Sequence, residues 1–141
     1  MKSHQCFVQS YRVKTSVFFL LISAAGLACA EGGFQFNCAE SSIANDTVLS
    51  AVCQDVLGKN LHSTIDLNNY IAVKDGRLEW QKEGNYKPLT RFCHLHHEPY
   101  DYEHSVMECS AKNNEGFWVH TSIDLAEHIG NANGNLVYQG P

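Results

Sequence analysis

The chain holds 141 residues with ten Lys plus Arg against fifteen Asp plus Glu, a net charge of −5. That length allows one domain or two small halves, and excludes a large multidomain enzyme. An acidic balance without clustered Lys and Arg excludes a nucleic-acid-binding surface, and 44% apolar residues exclude a disordered tail.

The N-terminus reads as a secretory signal peptide over residues 1–30. Lys2, Arg12 and Lys14 precede an apolar run from Val17 to Leu27, and Ala28-Cys29-Ala30 supplies a small-x-small cleavage site. The run is about half the length a membrane span needs. Gly26 sits where a lipoprotein signal at Cys29 would want a larger aliphatic residue. Cleavage after Ala30 leaves a secreted, extracellular domain over 31–141. Its seven basic and fifteen acidic side chains give a net charge of −8. Four cysteines remain: Cys38, Cys53, Cys93 and Cys109. An oxidising compartment makes them two disulfides, and the absence of Cys-x2-Cys spacing argues against zinc. Asn45-Asp46-Thr47 is an N-glycosylation acceptor sequence.

Along the chain, Gly33 to Phe36 is read as a strand, followed by Thr47 to Cys53 and Leu61 to Ile65. Asp66 caps a short helical turn over Leu67 to Ile71, with Leu67 and Ile71 on one face. Asp75-Gly76 is a tight turn, after which Leu78 and Trp80 alternate with polar residues as in a strand. Ser105 to Cys109 is a further strand.

The chain is then written again. Residues 63–81 and 121–139 align without a gap, identical at seven of nineteen positions. Ile123, Asp124, Leu125, Ile129, Asn133-Gly134, Leu136 and Tyr138 repeat the strand, cap, turn and strand. Each copy carries a cysteine pair upstream, so the repeat favours Cys38–Cys53 and Cys93–Cys109 over the two other pairings. The expectation is an all-β, pseudo-symmetric tandem repeat with short helical turns, its halves at about 31–84 and 85–141. Halves of this size bury little core alone, which favours a shared core or exchanged strands.

Together, G-x-F-x-x-x-C from Gly32 to Cys38, the two cysteine pairs, and the two copies of I-D-L with their D-G or N-G turns resemble the cyanovirin-N family of sugar-binding proteins. The resemblance covers the whole of 31–141. Departures are one extra residue between Cys38 and Cys53, extra residues between Gln81 and Cys93, and a histidine-rich stretch after Cys93. What it implies is a strand-exchanged fold, monomeric or a strand-swapped dimer. Its function would be binding of high-mannose oligosaccharides or glycoproteins, at terminal α1,2-linked mannose. It implies no catalysis, no cofactor and no metal.

Carried over by position, the first pocket comprises Gly32, Gly33, Asn37, Gln54, Val56, Asn131, Ala132, Asn133 and Gln139. Asn and Gln amides both donate and accept, as sugar hydroxyls do. The second comprises Ala72, Val73, Asp75, Arg91, Ser110, Ala111, Lys112 and Asn114. Ala72 and Val73 stand where a working site is polar, so the first pocket is expected to be the active one.

Two other classes are weighed beside this. His94-x-His96 would put two imidazoles on one strand face, a possible metal pair, against a solvated insertion. Asp101 with Glu103 could be imagined as glycosidase carboxylates, yet no nucleophile motif accompanies them. A secreted structural or effector protein on the same fold, its sugar binding lost, is the remaining alternative.

Overall fold

A computed structural model describes residues 32–96 and 103–140. The signal-peptide reading, His97, Glu98 and Asp101 lie outside the described residues.

The chain opens on a 3-10 turn, Phe34–Phe36, and not on a strand. Gly32 and Gly33 both hold positive φ (79° and 78°), which breaks extended pairing there and lets Phe34 drop into the core, fully buried. Then come β1 (Cys38–Ala44), β2 (Val48–Gln54) and β3 (Asn60–Asp66), an antiparallel three-stranded sheet. A second 3-10 turn, Leu67–Asn69, follows, capped as expected by the Asp66 carboxylate, which accepts from the Asn68 amide at 3.0 Å. This turn is shorter than the sequence suggests, because Ile71 already starts the hairpin β4 (Ile71–Lys74) and β5 (Arg77–Trp80). Leu67 and Ile71 are nonetheless both fully buried.

The second half repeats the order: β6 (Thr90–His96), β7 (Val106–Lys112) and β8 (Trp118–Asp124) form a sheet, and β9 (Ile129–Ala132) pairs with β10 (Asn135–Tyr138). A 3-10 turn at Leu125–Glu127, capped by Asp124, joins them. The fold is therefore all-β with short 3-10 turns, in two pseudo-symmetric halves. Among the described residues no helix is long and apolar enough to cross a membrane.

The halves complete each other. Gly76 and Gly134 head the two hairpins in the left-handed turn region, and a side chain on either would collide with the other half, at Val119 and Leu61 respectively. Behind these turns, the Leu78 amide donates to Thr121 Oγ1 at 3.1 Å, and the Leu136 amide donates to Ser63 Oγ at 2.8 Å. Each hairpin thus lies on the sheet of the opposite repeat. Exchange lets one core serve both: the repeat-related pairs Leu49 and Met107, Leu67 and Leu125, Ile71 and Ile129 are all fully buried in it. Each such side chain contributes on the order of 1.5–3 kcal/mol. At the junction of the halves Tyr70 stacks on Tyr138 with ring centres 4.4 Å apart, and Trp80 meets His128 edge-on at 5.0 Å.

The disulfides join Cys38 to Cys53 and Cys93 to Cys109, the pairing the repeat favours. They are not in equivalent places, however. Cys38 and Cys53 are directly paired at the end of β1 and β2. Cys93 instead lies in the irregular register between Arg91 and His94. Since Val48 pairs with Asp66 and Val106 with Asp124, the repeat partner of Cys109 is Ala51, and that of Cys53 is Ala111. The second bridge has moved one same-face step along its strand, which keeps the sulfur on the core side.

Candidate functional site

Two turns position the first candidate site. In the β2–β3 turn Asp55 Oδ1 accepts from the amides of Leu57 and Lys59, both at 2.9 Å, so the loop is held by its own carboxylate. In the β9–β10 turn Asn133 takes the left-handed conformation at φ 50°, which Asn tolerates better than most residues. Asn133 Oδ1 then accepts from the Val56 amide at 3.0 Å, and the Asn131 amide group donates to the Gln54 carbonyl at 2.8 Å. The N-terminal edge closes the group: the Gln54 amide donates to the Asn37 carbonyl at 3.0 Å and the Gly32 amide to Gln139 Oε1 at 2.9 Å.

Five residues of the expected first pocket, Asn37, Gln54, Val56, Asn131 and Asn133, are thus tied together, while Gly32 and Gln139 form a separate pair and the Gly33 amide donates to the Ala126 carbonyl. Asn131 is consumed structurally, since its Oδ1 also accepts from the Gly134 amide at 2.8 Å. Gly32 is buried, and any side chain there would strike the Ala126 carbonyl. The side chains of Asn37 and Gln54 are exposed, and Asn133 keeps an amide nitrogen without a partner among the described residues. Phe36 and Val56 make part of the rim apolar, Val56 being 82% exposed.

The second candidate site is built the same way. Asn113 Oδ1 holds the β7–β8 turn by accepting from the amides of Glu115 and Phe117 at 3.0 and 2.9 Å. Asp75 Oδ1 accepts from the Asn114 amide at 3.0 Å. Of the eight residues expected there, Ala72 and Ala111 are buried, so neither offers a side chain to a ligand. Val73 is half-buried and packs against the core. Arg91, Ser110 and Lys112 belong to the outer sheet face, with Arg91 seated over the Trp118 ring at 4.1 Å. Only Asp75 and Asn114 sit at the turn contact itself.

Sequence reasoning missed Asp55 and Asn113, the two side chains that shape the turns, and Trp118. Their signal was present: Asp55 and Asn113 fall at matching places in the two repeats. The potential glycosylation residue Asn45 is exposed in the β1–β2 turn at φ 52°, and its carbonyl accepts from Lys87 Nζ at 2.8 Å. His94 and His96 do share a face, each 3.6 Å from an oxygen of Glu108, and His120 Nε2 also lies 3.6 Å from that carboxylate. Among the described residues no group of three or more His, Cys, Asp or Glu is set to hold a metal ion.

Two strand-exchanged repeats, each docking a turn beside a loop of the other, define the class of fold. The model of the CVNH domain matches residues 34–137, and the chain belongs to this family of carbohydrate-binding lectins. Among solved structures, the chain is similar to GzCVNH of Gibberella zeae at 28% identity and a TM-score of 0.69, covering 77% of this chain and 99% of that one. It is also similar to microvirin, solved as a mannobiose complex, at 25% identity and a TM-score of 0.65, covering 74% and 96%. A MoCVNH3 variant in complex with (N-GlcNAc)4 shares the fold at 21% identity and a TM-score of 0.65, covering 76% and 97%.

Proposed function

We propose that this protein is a secreted lectin that binds mannose-rich glycans, at terminal α1,2-linked mannose, in the pocket formed by Asn37, Gln54, Val56 and the Asn131–Asn133 turn. The observation that carries this reading is the Val56–Asn133 hydrogen bond, which fixes an exposed polar loop of one half against a turn of the other. Similarity to microvirin in its mannobiose complex supports mannose as the sugar. Amides and loop backbone groups suit hydroxyls of a neutral sugar, and binding needs no metal and no bond-breaking step. The second pocket contributes less, because Ala72 and Ala111 are buried.

A glycan array on the protein beginning at Glu31 tests this. Among neutral glycans, signals on the mannose-terminated ones alone are expected. Silence across all of them would overturn the lectin reading and leave a structural or effector role on the same fold. N-terminal sequencing of material from a secreting host tests export, with Glu31 expected as the first residue.

A further inference from the structure

The outer face of the β6–β7–β8 sheet differs in kind from its counterpart in the other half. On β2 and β3 that face presents Ser50, Val52, His62 and Thr64. On the second sheet it presents Arg91, His94 and His96 from β6, Glu108 and Lys112 from β7, and Trp118 and His120 from β8. Asp124, at the far end, is occupied as the cap of the following turn and by His104.

Residues 31–141 carry fifteen carboxylates against seven Lys and Arg, and among the described residues only Lys74 pairs with one of them, Glu79 at 3.2 Å; what sets Arg91 and Lys112 apart from the other unpaired cations is the aromatic ring beside them. Among the described residues neither Arg91 nor Lys112 forms a salt bridge. Both lie against an aromatic ring instead, 4.1 and 5.8 Å from the centre of Trp118. A guanidinium held over a ring uses none of its N–H donors in that contact, so the donors stay available to an oxyanion. Glu108, the one carboxylate in the middle of this face, is engaged by three imidazoles at 3.6 Å each. The Phe92 carbonyl accepts from His94 Nδ1 at 3.1 Å, which turns Nε2 toward Glu108.

We propose that this face binds acidic oligosaccharides, sugars bearing sulfate or carboxylate groups, with Arg91 and Lys112 holding the anionic groups and Trp118 and Phe92 offering apolar surface to the rings. Phe92 is 70% exposed and sits 5.2 Å from the Arg91 guanidinium. The surface is distinct from the neutral-sugar pocket, and it gives Arg91 and Lys112 a role that the second pocket does not. A short acidic sugar meets only this local field. A long nucleic acid would extend beyond it onto an acidic protein, and charges further than about 8 Å are screened from the favourable patch.

Titration calorimetry on the purified protein provides the test. The probes are a sulfated hexasaccharide, its desulfated counterpart, a uronate oligomer of equal length and an oligonucleotide of equal charge. At least one acidic sugar should bind roughly tenfold more tightly than the desulfated one, and Arg91→Gln should weaken it by about tenfold. His62→Gln, on the opposite half, should change nothing. Equal binding of the desulfated sugar, tighter binding of the oligonucleotide than of any acidic sugar, or an unaltered affinity in a folded Arg91→Gln protein would each overturn the proposal. Binding to mannose-terminated glycans, read separately, stands or falls independently of these outcomes.

Discussion

Asn133 Oδ1 accepts a hydrogen bond from the Val56 amide at 3.0 Å, and the repeat-related pair Asp75 and Asn114 makes the same bond at the same length. Seventy-seven residues separate the first pair, so this contact is made by folding alone. Asn133→Asp preserves both the acceptor and a residue tolerant of positive φ, as Asp75 demonstrates at φ 48°. It should leave the melting temperature nearly unchanged while weakening mannose binding, because only the amide donor is lost. Asn133→Ala should lose about 1–2 kcal/mol of stability as well, from the missing bond and the strained backbone. Thermal melts run beside glycan titrations separate the two effects; equal mannose affinity in Asn133→Asp would remove that amide from the site.

Ser63 and Thr121 hold the exchanged hairpins through buried bonds to the amides of Leu136 and Leu78. Ser63→Ala and Thr121→Val each leave a buried N–H without an acceptor, at a cost of about 1–3 kcal/mol. Denaturant unfolding should show a lower midpoint for each, with still one transition, since both hairpins share the core. Two separated transitions would show that the halves unfold independently.

Tyr86 is fully buried, and its hydroxyl donates to the Asp46 carbonyl at 2.7 Å. Burial, first, and then the charges of Asp66 and Asp46 raise its pKa far above the ordinary tyrosine range. The folded state therefore keeps a proton that the unfolded chain releases near pH 10, so stability falls as pH rises beyond that point and is unaffected below it. Midpoints measured from about pH 8 to about pH 11 should be flat and then drop. Tyr86→Phe should reduce the alkaline drop, at the expense of about 1 kcal/mol at neutral pH.

The two disulfides close loops of nearly equal length, with separations of 15 and 16 residues, although they lie at different levels of their sheets. Loop closure then assigns each about 3 kcal/mol. Paired Cys→Ala variants of either bridge should lower stability by similar amounts in denaturant titrations. A twofold disparity would mean that local packing at Cys93, within the irregular register of β6, outweighs chain entropy.

Much of this architecture could be read before any coordinates, because it rests on short-range rules repeated twice. Asp66 and Asp124 announced their turns, and Asp75-Gly76 and Asn133-Gly134 their hairpins. Phe34 differs from the strand expected of it because its sequence pattern also fits a strand, and only the paired positive φ values of Gly32 and Gly33 decide for the turn. The shift of the second disulfide escaped notice because counting residues between cysteines says nothing about register. Trp118 was passed over for a similar reason: its partner Arg91 is distant in sequence, and only pairing of β6, β7 and β8 brings the two together. Resemblance by position puts Ala72 and Ala111 in the second pocket, whereas the sheet turns them inward.

Hairpin exchange has one more consequence, for inheritance. The loop at Gln54 to Val56 is encoded in the first repeat, and the turn that completes it, Asn131 to Asn133, in the second. Recombination that replaced one repeat with that of a relative would yield two hybrid sites rather than one old and one new. Under the proposed function, specificity would be carried by pairs of distant segments, which would have to diverge in step.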